Sequence, residues 1–153
     1  MISLRKATEK DIEFLYSLRE ATMKSHIENE GLNYIFEEQH ARVLFSYENS
    51  QIITHENKSV GLLKVDKSTN PWKIIQIQVS PKFQNLGIGT RILQKIIEES
   101  NKTECSIELN VLKKNTAQRL YKRLGFIIYK EREHAYIMLR TPSACQKSYN
   151  HRQ

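Results

Sequence analysis

The sequence predicts a mixed α/β fold with the element order βααβββαβαββ, a mixed sheet flanked by helices. Segments in which apolar and polar residues alternate predict the strands, and segments with an apolar stripe at helical spacing predict the helices. Loops rich in Asn, Gly and Pro separate the two kinds of segment. At ~100–200 residues per domain, 153 residues favour one domain. We expect it to span residues 1–140, with residues 141–153 forming a flexible basic tail.

The first half of the chain is predicted to start with one strand and two helices. Ile2 and Leu4 alternate with polar neighbours, which indicates a strand. The sequence from Thr8 to Asp11 is a capping box that opens the first helix. That helix runs to about Ser25, and a loop is expected over Ile27–Asn33. The apolar face of the first helix consists of Ile12, Leu15, Leu18 and Ala21. The apolar face of the second helix consists of Phe36, His40, Val43, Leu44 and Tyr47.

A hairpin, two helices and four further strands are predicted after residue 50. The hairpin joins Ile52–Thr54 to Val60–Val65 through the polar residues 56–59. The later strands are expected at Lys73–Val79 (closed by Pro81), Ser106–Val111, Phe126–Tyr129 and Tyr136–Leu139. The helices are expected at Gly89–Ser100, with Ile92, Leu93, Ile96 and Ile97 on one stripe, and at Asn115–Leu124, with Ala117, Leu120, Tyr121 and Leu124 on one face and Gly125 as C′ residue.

Charge and composition limit the possible partners. The chain has 24 Lys and Arg against 17 Asp and Glu, and Arg140–Gln153 carries three of the basic residues and no acid. This mild surplus suits an anionic small molecule, and no basic run interleaved with aromatic residues indicates nucleic-acid binding. The longest apolar run is Ala135–Leu139, so we expect no membrane segment and a cytoplasmic protein. The spacing of Cys105 and Cys145 supports neither a metal site nor a disulfide.

Two of the five glycines, Gly87 and Gly89, stand between a predicted strand and a predicted helix. Glycines there let backbone N–H groups point outward, and the helix dipole adds positive potential, so the turn is suited to a pyrophosphate. An ordinary tight turn is the alternative. The chain has no G-x-x-x-x-G-K-[ST] string, which excludes a Walker loop. Ile92 stands where a dinucleotide-binding turn requires a small residue.

Two motifs resemble those of the GNAT-type N-acetyltransferases. The string Val79–Thr90 is similar to the pyrophosphate motif Q/R-x-x-G-x-G/A that follows a strand in this family. The string Asn115–Phe126 resembles the second signature, N-x-x-A-x-x-L-Y-x-x-x-G-F. The resemblance covers about residues 2–140 and is typical of small bacterial single-domain members. It implies a GNAT-like fold with a central splayed sheet, and acetyl-CoA as the cofactor.

The resemblance also implies a reaction and a set of site residues. The reaction transfers an acetyl group from acetyl-CoA to a primary amine by direct attack in a ternary complex. A backbone N–H near Val79 would stabilise the developing oxyanion, and Tyr121 would be the general acid, although a core aromatic is the alternative for Tyr121. The implied cofactor contacts are Ile77, Gln78, Val79, Gln84, Asn85, Leu86, Gly87, Ile88, Gly89, Thr90, Asn115 and Tyr121.

The general base is left open by the sequence. Many family members carry a Glu on the strand before the pyrophosphate loop, where this chain has Lys73, Gln76 and Gln78. Glutamine does not accept a proton near neutral pH, so Glu108 and His134 are the candidate catalytic bases.

The acceptor is an amine-bearing small molecule or peptide in this interpretation. Gln76, Asn110 and Glu28 are its expected contacts, with Glu28 in the loop after the first helix beside His26 and Glu30. No metal is expected. A homodimer through the final strands is possible. A noncatalytic acyl-CoA-binding or regulatory module with the same fold is the alternative function, and a nucleic-acid-binding domain ranks third.

Overall fold

The computed structural model describes residues 1–143, so most of the expected tail, including Cys145, lies outside the described residues. Its elements follow the predicted order βααβββαβαββ, and the mixed α/β fold class is confirmed. Their bounds are β1 Ile2–Lys6, α1 Ile12–Asn29, α2 Phe36–Leu44, β2 Ser50–His55, β3 Lys58–Asp66, β4 Trp72–Val79, α3 Ile88–Lys102, β5 Ile107–Leu112, α4 Gln118–Arg123, β6 Ile127–Glu131 and β7 Ala135–Arg140.

The chain forms two compact units. Unit 1 comprises residues 1–66 and 75–89, and unit 2 comprises residues 67–74 and the described residues from Thr90 to 143. The strand order is β1-β2-β3-β4-β5-β7-β6, with β4 parallel to β5 and antiparallel pairing of β1 with β2, β2 with β3, β5 with β7, and β6 with β7. The division into one domain over 1–140 and a flexible tail stays a prediction.

The core of unit 1 lies between its two helices and its strands. A buried cluster is formed by Ala7, Leu15, Leu18, Val43, Ile52 and Leu62. Before α1, the capping box predicted at Thr8 is present, because Asp11 Oδ2 accepts from the Thr8 backbone N–H and the Thr8 hydroxyl accepts from Lys10 N–H. The box caps a short 3₁₀ turn, residues 9–11, that leads into α1.

Several predicted bounds and faces differ from the structure. The first helix continues to Asn29, because Ile27 is buried and extends its apolar side by one turn, whereas Ala21 is exposed. Glu28 and His26 therefore lie on α1 and not in a loop. In α2 the buried residues are Gln39 and Val43, and the predicted core residues Phe36 and Leu44 are exposed.

The helix expected over Asn115–Leu124 is shortened to Gln118–Arg123. The Asn115 side chain closes a turn first, since its Oδ1 accepts from the Ala117 N–H at 2.9 Å. The four residues of the predicted apolar face are half-buried. Gly125 follows the helix with φ +97°, as its predicted C′ position requires.

A lysine closes the C-terminal end of α2. Lys64, on β3, is fully buried, and its Nζ donates to the carbonyls of Arg42, Val43 and Phe45 at 3.2, 2.8 and 2.6 Å. Carbonyls at a helix C-terminus lack partners within the helix, so a buried ammonium satisfies them and meets the negative end of the dipole. Burial lowers the pKa of Lys64 to about 8.

Unit 2 has α3 as its long amphipathic element. The predicted stripe of Ile92, Leu93, Ile96 and Ile97 is buried throughout. Arg140, expected at the start of the tail, is the last residue of β7 and is buried; its Nε donates to Leu124 O at 2.8 Å.

Across residues 1–143, none of the helices combines the length and the apolar character that crossing a membrane would need.

The ion pair of Arg5 with Asp11 predicts a specific acid sensitivity. Asp11 accepts from both terminal nitrogens of Arg5 at 2.9 and 2.8 Å, and its pKa is lowered to about 2, mainly by the hydrogen bonds from Arg5. A carboxyl with a depressed pKa stabilises the fold above its ordinary pKa near 3.8, and this stabilisation is lost as the pH falls toward 2. Because Arg5 is half exposed, solvent screens the ion pair, and we expect the pair to contribute about 1–2 kcal/mol to the free energy of unfolding.

Urea titrations at pH 5 and pH 2.5 measure this contribution. The free energy of unfolding should fall more in the wild type than in Asp11→Asn, by about 1–2 kcal/mol. Glu9→Gln removes an exposed carboxyl from the same turn and should behave as the wild type. An equal pH dependence in Asp11→Asn and the wild type would contradict the assignment.

Candidate functional site

The loop between β4 and α3 has an unusual backbone. After a 3₁₀ turn at Pro81–Phe83, Asn85 and Gly87 adopt left-handed conformations with φ +65° and +78°. Residues 84–87 are exposed, and Ile88, the first residue of α3, is buried. Alternation of left-handed residues with ordinary ones turns successive N–H groups to the same side, which forms a concave site for an anion.

Five consecutive backbone N–H groups, from the end of this loop into the start of α3, have no acceptor among the described residues. Within residues 1–143, none of the N–H groups of Asn85–Gly89 donates a hydrogen bond. The last two belong to the first turn of the 15-residue helix α3, where the helix dipole is positive. A Cβ added at Gly87 would meet nothing within 4 Å, so the space beside this residue is open. The loop therefore offers free donors and positive potential to a phosphate or diphosphate.

Gln84 and Thr90 flank these donors. The Gln84 side chain folds back on the strand, where its Nε2 donates to Val79 O at 2.9 Å. This bond holds the loop against the end of β4 and uses the amide donor of Gln84. Thr90 follows Gly89 in the first turn of α3 and is half-buried.

The ladder between β4 and β5 covers only Trp72, Lys73 and Ile74. Ile77 and Val79, the expected contacts of the cofactor arm, lie beyond the last pair of this ladder and are half-buried. Their neighbours Gln76 and Gln78 are buried on the opposite face of β4, and the Oε1 atom of each has no partner within the described residues.

Gly61 permits β3 to approach the end of β4. A Cβ at Gly61 would lie 2.4 Å from Gln78 O, so no side chain fits there without a shift of the backbone. Gln76 is fixed from the other direction, since its Nε2 donates to Arg42 O at 3.2 Å. The buried face of β4 is thus held by one close backbone contact and one side-chain hydrogen bond.

Tyr121 is half-buried in unit 2. Its ring contacts Phe126 edge-to-face, with 5.9 Å between the centroids. This contact is what the alternative interpretation of Tyr121 as a core aromatic predicts. Its hydroxyl makes no hydrogen bond within residues 1–143, and burial raises its pKa above the usual 10.0. The hydroxyl is therefore protonated and available as a donor across the neutral pH range.

The candidate bases lie in the same unit as Tyr121. Glu108 and Asn110 share one face of β5, where Glu108 is half-buried and Asn110 is exposed. His134 lies just beyond the last pair of β5 with β7; its backbone O accepts from Lys113 N–H, and its Nε2 is 3.5 Å from Glu133 Oε1. Glu108 forms no ion pair within the described part of the chain.

The third expected acceptor contact, Glu28, lies in unit 1 and is exposed in the last turn of α1.

The sequence interpretation missed a group of buried polar residues in the same unit. Arg19 and Gln39 are 6% and 5% exposed, and Lys64 is fully buried. The spacing of apolar residues indicated their burial. Arg19 is four residues from Leu15 and Gln39 is four residues from Val43, which places each pair on one helix face. Lys64 is two residues from Leu62, which places both on one face of the strand.

The comparisons with known proteins decide the family. A family model described as "Acetyltransferase (GNAT) domain" matches residues 4–139. The chain belongs to the GNAT acetyltransferase family. The family predicted from the two motifs is therefore confirmed. No curated protein sequence matches the chain.

Solved structures share the fold of this GNAT chain at low sequence identity. The PaiA N-acetyltransferase from Thermoplasma acidophilum, in complex with coenzyme A, is 16% identical with a TM-score of 0.72, and the match covers 92% of this chain and 99% of that one. The ribosomal-protein-S18-alanine N-acetyltransferase from Escherichia coli is 20% identical with a TM-score of 0.70, covering 94% and 95%. Ard1 from Thermoplasma volcanium is 21% identical with a TM-score of 0.68, covering 92% and 97%.

The two glycines of the loop should respond oppositely to alanine. Gly87→Ala places a Cβ on a left-handed residue and should lower the free energy of unfolding by about 1 kcal/mol. Gly89 lies in the helix with only Val79 Cγ2 near its added Cβ, at 3.9 Å, so Gly89→Ala should leave stability unchanged or raise it by up to about 1 kcal/mol. Urea denaturation compares the two variants, and a larger loss in Gly89→Ala would contradict this backbone geometry.

Proposed function

We propose that the protein transfers an acetyl group from acetyl-CoA to a primary amine by direct attack in a ternary complex. The observation that carries the proposal is the row of unpaired N–H groups over Asn85–Gly89 at the start of α3. Family membership supports the reaction class, and the PaiA relative was crystallised with coenzyme A. The acceptor is an amine-bearing small molecule or peptide, in the cytoplasm.

The residues of unit 1 fit a diphosphate without a dedicated cationic side chain. Acetyl-CoA, when bound, supplies an acetyl group activated as a thioester. The N–H groups of Asn85–Gly89 would hold its diphosphate, and the exposed Lys82, three residues before Asn85, adds positive charge. Backbone groups of Ile77 and Val79 would bind the pantetheine arm as a neighbouring strand would. Gln78 supports this segment from its buried face.

Tyr121 is proposed as the acid that returns a proton to the departing thiolate. Its free hydroxyl and raised pKa support this role, since a general acid must carry its proton at the working pH. Asn115 is proposed to contact the cofactor, although its Oδ1 already accepts from Ala117 N–H.

A carboxylate or imidazole must take the proton of the amine. The buried glutamines of β4 cannot do so, which leaves Glu108 and His134 as the proposed bases in unit 2. Asn110, two residues from Glu108 on the same face, is proposed to orient the acceptor or a water molecule.

A noncatalytic acyl-CoA-binding module is the second candidate. The observation in its favour is that β4 carries Gln76 and Gln78 and no carboxylate. It predicts cofactor binding without thiol release for any amine, whereas the enzyme releases coenzyme A with at least some amines.

Calorimetric titration with coenzyme A tests the loop. Gly87→Glu places a carboxylate beside the free N–H groups and should weaken binding at least tenfold through repulsion of the diphosphate. Gly31→Glu is the matched control, because Gly31 also has φ +79° and nothing within 4 Å of an added Cβ. The control should bind as the wild type does. Equal affinity in the two variants would contradict the proposed diphosphate site.

Thiol release under saturating acetyl-CoA tests Tyr121. Tyr121→Phe removes the proposed proton donor and should lower kcat about 100-fold or more. Tyr129→Phe removes a hydroxyl from an exposed tyrosine of β6 and should retain the wild-type rate. A Tyr121→Phe variant that turns over at the wild-type rate would exclude Tyr121 as the acid.

A further inference from the structure

Arg19 is a buried arginine that forms no ion pair within residues 1–143. The residue is 6% exposed, and its Nε donates to Gln39 Oε1 at 2.7 Å. Its two terminal nitrogens, Nη1 and Nη2, have no hydrogen-bond acceptor within residues 1–143. Both nitrogens are accessible to solvent. Four N–H donors of one guanidinium are therefore open to solvent and to a ligand.

Arg19 lies near a second cation, Arg42, and near the phenol of Tyr34. Burial lowers the pKa of Arg19 to about 10, and the nearby charge of Arg42 lowers it further in the same direction. Arg19 in turn contributes to the lowered pKa of Lys64. Glu48 acts on Lys64 only through space, and none of the three cations forms an ion pair within the described residues.

Three neighbouring cations with no paired acid are an unfavourable arrangement for stability alone. Removing a charge from water is costly unless an opposite charge or several hydrogen bonds replace the lost hydration. The planar fork of a guanidinium matches the two oxygens of a carboxylate or phosphate, and such a bond is stronger in a partly dry site. An oxyanion at Nη1 and Nη2 would supply the missing charge.

We propose that Arg19, with Arg42 beside it, binds an oxyanion, and that this oxyanion is a carboxylate or phosphate group of the acceptor. Gln39 holds the planar guanidinium through Nε and leaves the terminal nitrogens without a partner in the described chain. The second part of this inference rests on the proposed function. Its structural support is that Arg42 O accepts from Gln76 on β4, the strand that leads into the diphosphate loop within the same unit.

The site itself is tested by thermal unfolding in the absence of acetyl-CoA. At constant ionic strength, chloride is replaced stepwise by acetate in one series and by inorganic phosphate in another. We expect a saturable rise in Tm of a few degrees for one anion, which also shows whether a carboxylate or a phosphate fits. Arg19→Gln should lose this rise, and Lys24→Gln, which removes an exposed cation from the same helix, should keep it.

Arg42→Gln keeps the test valid should Arg19→Gln fail to fold, because Arg42 is exposed. It should reduce the anion-dependent rise by at least half. The absence of a saturable rise with both anions, or an equal rise in Arg42→Gln and the wild type, would overturn the proposal.

Matched pairs of amines connect the site to the acceptor. The pairs are γ-aminobutyrate with butylamine, and phosphoethanolamine with ethanolamine. We expect kcat/KM for the member of one pair that carries the carboxylate or phosphate to exceed that of the member that lacks it at least tenfold, and Arg19→Gln should reduce this ratio to near one. A wild-type ratio near one in both pairs would refute the link to the acceptor. Calorimetry with coenzyme A tests the proposed diphosphate site at Asn85–Gly89 separately. A negative calorimetric result would therefore not change the conclusion drawn from anion-dependent thermal unfolding.

Discussion

The unpaired N–H groups of Asn85–Gly89 are the feature on which the rest of the site depends. Unsatisfied donors at a helix start are stable only where water or a ligand can reach them. Left-handed Asn85 and Gly87 keep them exposed, and the Gln84 bond to Val79 O fixes the loop to its strand. The absence of a side chain at Gly61 lets β3 lie close to Gln78 O on that strand. The diphosphate site that we propose thus rests on backbone geometry, with little demand on side-chain charge.

Unit 1 uses buried polar groups to join its second helix to its sheet. Lys64 closes the last carbonyls of α2, and Gln76 bonds to one of the same carbonyls, Arg42 O. These donors have acceptors, so their burial is compensated. Arg19 differs, because only one of its nitrogens has a partner in the described chain. The contrast between a satisfied lysine and an incompletely satisfied arginine is the reason why we propose a binding role for Arg19 and not for Lys64.

The fold could be predicted from the sequence because local patterns and motif spacing agreed. Strand alternation, the apolar stripe of α3 and the capping box at Thr8 are local signals, and the structure contains each of them. The length of α1 was underestimated, because burial of Ile27 depends on tertiary packing that the sequence does not reveal. The loop could be located from its glycines, but Gly61 could not be assigned a role, since the approach of Gln78 O is a long-range contact. Arg19 was overlooked for a related reason: its spacing from Leu15 placed it on the apolar face of α1, but arginine is a residue type that is mostly exposed, so the fold was needed to show that this one is buried.

Amide chemical shifts measured during a coenzyme A titration test the central claim most directly. The account predicts that the N–H resonances of Gly87, Ile88 and Gly89 move downfield with saturation, as expected for amides that begin to donate to a phosphate. The amide of Gly31, which shares the left-handed conformation of Gly87, should not move. Saturable binding that leaves the Gly87 and Gly89 resonances in place would contradict the account, because the cofactor would then be held elsewhere.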